Sequence, residues 1–261
     1  MSVIQKTFVL TGCASGIGQH LAHMLITRGH HVVATDLNAS ATVQKLDVTR
    51  PEDWEEVLND ALARYGKIDV VMNIAGYLKP GWAHAMSDVE VHRHFDVNTK
   101  GVIFGTQAAA RHMIRQGQGH IINIASFAAL MPVPGLALYS ASKYAVRSFS
   151  LAVAQELRTH GVDVTVVCPD AVRTPMLDLQ ANFDQAALTF STSHVLSVEE
   201  IATVIMNRVL PYRPLEVYIP TWRGWIARLG DLFPDFAALV APFLKRQGRK
   251  HQSDYHLENR K

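Results

Sequence analysis

The first twenty-nine residues constrain the fold more than any other stretch. Phe8-Val9-Leu10 is a short apolar run that meets Thr11-Gly12-Cys13-Ala14-Ser15-Gly16-Ile17-Gly18. This reads as a buried strand, a glycine-rich turn and a helix start. Gly12 and Gly16 let the backbone turn tightly and approach a ligand closely, and Gly18 lets the helix pack on a sheet. Leu21, Ala22, Leu25 and Ile26 recur at helical spacing, and Gly29 stops the helix. A helix N-terminus offers free N–H groups that favour a pyrophosphate. The spacing is Gly-x-x-x-Gly-x-Gly rather than Gly-x-Gly-x-x-Gly, so this loop alone also fits an ordinary tight strand–helix turn.

The same alternation repeats down the chain. Strand patterns fall at His31–Asp36, 44–49, 68–73, 120–126, 162–168 and 215–219. Helical patterns lie between them: Pro51 to Tyr65, roughly Ser87 to Gln116, Tyr139 to about His160, and Val198 to Val209. Such alternation implies one α/β domain, a Rossmann-type doubly wound parallel sheet of about seven strands with helices on both faces. A chain of 261 residues with 48% hydrophobic composition can bury one such core. Residues 1–220 are expected to form it, with 175–197 as a mobile lid of little regular pattern.

Two residues stand out chemically. Tyr139 and Lys143 are four apart and share one face of a helix. A phenol titrates near ~10, and a neighbouring ammonium stabilises its anion. Bringing it to about 7 takes roughly 4 kcal/mol, which a close lysine and a positively charged cofactor ring could together supply. Asp36 ends the second strand, where an acid either hydrogen-bonds the adenosine ribose hydroxyls or caps a turn. The acid repels a 2′-phosphate, and no Arg or Lys stands at 13–17 or at 37 to hold one. That favours NAD over NADP. Asn98 lies among helix formers, suiting a backbone contact or a kink. Ser126 ends the fifth strand, on the side where open α/β sheets bind ligands.

Together these pieces resemble the short-chain dehydrogenases/reductases. Thr11-Gly12-x-x-x-Gly16-x-Gly18 matches the family's cofactor loop, and Asp47-Val48 its adenine-contact segment. Asn73-Ile74-Ala75-Gly76 matches its Asn-Asn-Ala-Gly motif with Ile in second place. Asn98, Ser126, Tyr139 and Lys143 match its catalytic four in order and spacing, and Pro169, Val172 and Thr174 its nicotinamide-flanking segment. The resemblance covers about residues 5 to 220. Asp170 departs from it, because the family usually has Gly there.

The resemblance implies an NAD-dependent oxidoreductase acting on a secondary alcohol/ketone or a related alcohol/aldehyde. Tyr139 is expected as general acid or base, and Lys143 as the group that lowers its pKa and holds the nicotinamide ribose. Ser126 is expected on the substrate oxygen, and Asn98 on a water linking Lys143 to solvent. Gly12, Ser15, Gly16, Ile17, Gly18, Asp36, Asp47, Val48, Asn73, Ala75, Gly76, Tyr139, Lys143, Pro169, Val172 and Thr174 are the expected cofactor contacts, with Thr174 on the carboxamide. The family usually forms homodimers or homotetramers through the helices near Asn98 and Tyr139. Two alternatives remain: a catalytically silent NAD-binding sensor or scaffold, which predicts a damaged catalytic set, and a related lyase or epimerase.

Ser126, Phe127, Met131, Val133, Leu136, Leu138, Met176 and Leu177 are the candidate substrate contacts. Most are apolar, which suggests a lipid, retinoid, steroid or terpenoid-like substrate. Residues 221–250 extend past the resemblance. Between Trp222 and Leu244 apolar residues recur at helical spacing, with Pro234 and Pro242 expected to divide them into short helices. A basic cluster from Lys245 to Lys250 follows. Such an amphipathic stretch suits a helix in a membrane interface, or one packed on the body or a second subunit. Residues 251–261 are expected to be disordered.

Net charge is +2 and shows no nucleic-acid footprint. The two cysteines form neither a disulfide framework nor a zinc cluster and fit a reducing compartment. Met1–Thr7 carries no long apolar segment of a signal peptide. The expected location is cytoplasmic, with peripheral membrane contact. His20 with His23, and His92 with His94, lack a third ligand, so no metal is expected and these histidines are read as surface positions.

Overall fold

The computed structural model describes residues 5–192 and 194–258. Residues 1–4, Ser193 of the expected lid and 259–261 of the expected tail lie outside the described residues.

The first half runs β1 (Thr7–Leu10), α1 (Gly16–Thr27), β2 (His31–Asp36), β3 (Gln44–Lys45), α2 (Pro51–Tyr65), β4 (Val70–Asn73), α3 (Asp88–Phe95), α4 (Gly101–Gln116) and β5 (Gly119–Ile124). The second half runs α5 (Ala137–Leu157), β6 (Val162–Pro169), α6 (Pro175–Ala181), α7 (Val198–Val204), α8 (Leu210–Tyr212), β7 (Glu216–Ile219), α9 (Thr221–Leu232) and α10 (Pro234–Glu258). The seven strands form one parallel sheet in the order β3-β2-β1-β4-β5-β6-β7. The chain winds outward from β1 to β3, then returns to β4 on the other side of β1. Order therefore reverses between β1 and β4, which opens a crevice at their carboxyl ends.

Alternation along each strand sorts side chains between two cores. Phe8, Leu10, Met72 and Ile122 face one layer with Leu21, Leu25, Ile201 and Ile205. Val9, Val71 and Ile121 face the other with Trp54, Leu58 and Met113. Strands buried on both faces need apolar residues at consecutive positions, and every residue of β1, β4 and β5 is buried.

Four expectations are corrected. The third strand ends at Lys45, because the Asp47 carboxylate accepts the Thr49 N–H and hydroxyl at 2.9 and 2.7 Å and turns the chain. The helix expected over 87–116 is broken by a π turn at Asp96–Lys100, with Asn98 buried at its centre. The 175–197 segment is organised, with α6 followed by a 3-10 run at Asp184–Phe190.

The last correction concerns the carboxyl end. α10 passes through Pro242 and continues to Glu258, so 251–258 is helical rather than disordered. Contacts with the 175–190 region hold it there. Gln252 Nε2 donates to the Gln180 and Phe183 carbonyls at 3.0 and 2.8 Å, and Tyr255 Oη to Asp178 at 2.7 Å. A proline inside a helix removes a hydrogen bond and crowds the preceding turn, at about 3 kcal/mol, and these tertiary contacts hold the segment beyond it against that cost.

Candidate active site

A cavity of about 1100 Å³ occupies the crevice at the carboxyl ends of the strands. Its floor at one end is the glycine loop. Gly12 and Gly16 take φ of +71° and +57°, a region that disfavours any Cβ. A Cβ on Gly18 would stand 2.3 Å from the Gly12 carbonyl oxygen. The Thr11 hydroxyl accepts the Ile74 and Ala75 N–H groups at 3.0 Å each, tying the β1 turn to the β4 turn. The first turn of α1 carries no acidic side chain, so its N–H groups are left open to an anion.

Gly12, Ser15, Gly16, Ile17, Gly18, Asp36, Asp47, Val48, Ala75, Gly76, Pro169, Val172 and Thr174 all line this cavity. The residues present therefore fit a dinucleotide. Asp36 accepts backbone N–H groups from Ala14 and Asn38, both at 3.0 Å, which fixes its carboxylate at the loop. Asn73 is the exception. Its side chain turns away from the cavity into a buried polar cluster, donating to Asn123 Oδ1 at 2.7 Å with Thr106 alongside. Residue 73 is the last of β4, and strand alternation sends its side chain under α4, where Gly105 makes room.

Ser126, Tyr139 and Lys143 meet in the cavity wall beside Phe127, Met131, Val133, Leu136, Met176 and Leu177. Leu138 is not part of that wall. α5 turns Tyr139, Ser142, Lys143 and Val146 inward together, the helical spacing the sequence displays. Lys143 Nζ donates to the Ile124 carbonyl at 2.9 Å and lies 5.7 Å from the Tyr139 ring centroid. Burial pushes the Tyr139 phenol up to about 12, with the Ser126 hydrogen bond pulling the other way. Burial also lowers Lys143 to about 8. Desolvation thus drives both groups toward neutrality.

Asn98 does not touch the cavity. Its amide bridges both backbone groups of Tyr77, accepting the N–H at 2.7 Å and donating to the carbonyl at 2.8 Å, and donates to Ser142 at 3.0 Å. Asn98 Oδ1 and Lys143 Nζ flank Gly76, at 3.4 and 3.7 Å from where a Cβ would stand.

Sequence reasoning missed one whole wall. Arg223, Ile226 and Leu229 of α9, Phe236 and Val240 of α10, and Phe233 between the two helices also line the cavity. Asp170, the departure from the family pattern, pairs with Arg223. An acid placed where a glycine is usual was the available signal, but nothing in the linear pattern named its partner. The histidine expectation is also corrected at His94, which is fully buried, accepting the Lys79 N–H at Nε2 and donating from Nδ1 to the Glu90 carbonyl. Among the described residues no cluster of three His, Cys, Asp or Glu could hold a metal.

The chain matches the short chain dehydrogenase family model over residues 6–184. It is 33% identical over 191 residues to a diacetyl reductase [(S)-acetoin forming] of Staphylococcus epidermidis, covering 67% of this chain and 74% of that one. It is 28% identical over 226 residues to 2-(R)-hydroxypropyl-CoM dehydrogenase of Xanthobacter autotrophicus, covering 78% and 90%. A solved short chain dehydrogenase/reductase from Burkholderia phymatum in complex with NAD superposes with a TM-score of 0.78 at 25% identity, covering 89% of this chain and 95% of that one.

Proposed function

The chain belongs to the short-chain dehydrogenase/reductase family, and on that footing we propose that it transfers a hydride between NAD and a hydrophobic secondary alcohol or ketone. The observation that carries this reading is the convergence of Ser126, Tyr139 and Lys143 in one wall of a cavity whose other end is the glycine loop. A nicotinamide cofactor, when bound, supplies the hydride donor or acceptor.

The chain's own residues handle the proton. Tyr139 Oη gives a proton to the developing alkoxide, or takes one from an alcohol. Its neutral form suits it to donate. In the oxidative direction a nearby positive charge is needed to lower its pKa. Lys143 supplies one when protonated and holds ribose hydroxyls. Ser126 donates to the substrate oxygen and stabilises charge growing there. Asn98 holds a water beside Lys143, in the space that Gly76 leaves by having no side chain. The motif residues from Gly12 to Gly76 seat the adenosine and pyrophosphate, and Pro169, Val172 and Thr174 flank the nicotinamide. The Asn73 side chain has no direct part in this.

NAD is favoured over NADP by Asp36, whose carboxylate lies at the cavity and would repel a 2′-phosphate. A hydrophobic substrate is favoured by Phe127, Met131, Leu136 and Met176, together with the apolar side chains from α9 and α10. The diacetyl and 2-hydroxypropyl relatives support chemistry at a secondary alcohol or ketone. The reading extends to a homodimer or homotetramer built through α4 and α5, and to a cytoplasmic protein with a peripheral membrane contact through 222–250. The two cysteines, both free and buried, suit a reducing compartment.

The test is NADH fluorescence during a screen of hydrophobic and small polar alcohols, with NAD and NADP in parallel. Turnover of a ring or long-chain alcohol with NAD supports the reading. A polyol preferred over such alcohols overturns the substrate class. NAD binding without turnover of any alcohol or ketone favours the sensor instead.

A further inference from the structure

α9 and α10 present a row of large apolar side chains that their own domain does not cover. Trp222, Trp225, Leu232, Phe236, Leu239 and Phe243 are all exposed, Leu239 by 75% and Phe243 by 71%. Isolated exposed apolar residues need no explanation, but a contiguous set at helical spacing does. The opposite face of α10 is anchored by Gln252 and Tyr255, so the helix is docked with this face turned outward.

Three observations say what covers it. First, the same helices line the cavity: Ile226, Leu229, Phe233 and Phe236 are both cavity wall and exposed surface. The apolar face is therefore continuous with the mouth of the substrate site. Second, the segment 222–250 carries six Lys/Arg against two Asp, while the rest of the chain carries 19 against 21. Arg246 and Lys250 are exposed and have no ion-pair partner among the described residues. Lys245 lies over the Trp82 ring at 4.7 Å, and Arg249 faces Asp184 at 3.7 Å. Third, no helix among the described residues is long and apolar enough to cross a membrane, so the apolar face has a use other than spanning.

We propose that α9 and α10 seat this protein on an anionic bilayer, with the cavity mouth against the lipid, so that a bilayer-dissolved alcohol or ketone enters directly. Tryptophan and phenylalanine on one face with cations beside them suit the boundary between headgroups and acyl chains. A second copy fits less well. A two-fold contact would set this positively charged segment against itself, and it would close the cavity mouth. The docking itself stands without the catalytic reading; the delivery of substrate rests on it.

The experiment uses the full chain and vesicles of phosphatidylcholine with or without phosphatidylglycerol. Wild type is expected to float with the anionic vesicles, less with pure phosphatidylcholine, and less at high salt. Trp222 and Trp225 emission shifts to the blue on binding. L239E/F243E changes two exposed residues outside the cavity wall, so activity on a water-soluble ketone is unchanged while flotation falls about tenfold or more. R246E/K250E abolishes the preference for phosphatidylglycerol. Vesicles carrying a lipophilic ketone speed its reduction by wild type and not by L239E/F243E.

Wild type that stays with the soluble fraction for every vesicle overturns the proposal. So does light scattering without vesicles that shows a dimer made monomeric by L239E/F243E, since the face then belongs to a second copy. Flotation without reduction of any ketone leaves docking in place and removes the catalytic reading, together with substrate delivery.

Discussion

Arg223 of α9 forms an ion pair with Asp170 at the end of β6, and both side chains stand in the wall of the cavity. Arg223 Nη1 also donates to Thr192 at 3.1 Å, and its guanidinium lies 5.8 Å from the Phe127 ring centroid. The Asp170 N–H donates to the Ile219 carbonyl at 2.9 Å. One arginine from the extension thus meets the residue after Ser126, the residue after Pro169, and the 175–197 segment.

Removing one partner strands the other. Arg223→Met is expected to destabilise the fold by about 3 kcal/mol, toward the low end for a buried pair because neither side chain is wholly excluded from water. Asp170→Asn with Arg223→Met is expected to cost less than the sum of the two single changes. Urea unfolding of all four proteins measures the coupling. Additive costs show that the pair contributes nothing.

Tyr139→Phe removes one oxygen from the wall and leaves the glycine loop untouched. Turnover is expected to drop by about 10²–10⁴-fold or more, with NAD affinity by calorimetry little changed. Full activity in this variant removes Tyr139 from the proton step.

Lys143 has a pH signature independent of turnover. Its folded pKa is lowered to about 8 from the ordinary 10.5. Between those values the unfolded chain holds the proton that the folded chain has released, so stability rises with pH across this window. The cost of burying the ammonium is fully present below pH 8. Unfolding free energy of wild type minus that of Lys143→Met is expected to grow by up to about 3 kcal/mol toward the upper end of the window. Taking the difference removes the raised Cys13, whose effect runs the other way; Cys168 feels the Lys143 charge, so its own rise makes the difference smaller than the Lys143 shift alone. A flat difference contradicts the burial of a charged lysine.

Asp36→Ala removes the carboxylate and frees the Ala14 and Asn38 N–H groups that it now binds. The NADP-to-NAD ratio of kcat/KM is expected to rise about tenfold or more, since one like-charge repulsion of that size is lost. An unchanged ratio places the selector elsewhere.

Asn98→Ala leaves both backbone groups of Tyr77 without their side-chain partner inside the π turn. A cost of about 2 kcal/mol is expected, measured by urea unfolding, with Asn98→Ser recovering little because a hydroxyl cannot span both groups.

The sequence by itself determined the alternation of strands and helices, the two-sided burial of the sheet and the cofactor loop, because each is written in local periodicity and in glycine placement. Tyr139 and Lys143 were legible for the same reason: four residues of one helix fix their common face. Tertiary structure decided what depends on distant partners. Asn73 belongs to the same motif as Ala75 and Gly76, yet its side chain is drawn to Asn123 on the neighbouring strand, a contact fifty residues away in sequence. The helix past Pro242 exists because Gln252 and Tyr255 find partners near residue 180. Asp170 stands out in the sequence only as an acid where the family usually has Gly, and nothing there names Arg223 as its partner; only the fold brings the end of β6 against α9 and makes the extension a wall of the site. The pKa values follow the same division, since residue types set the ordinary values and burial, a property of the whole fold, moves Tyr139 and Lys143 away from them.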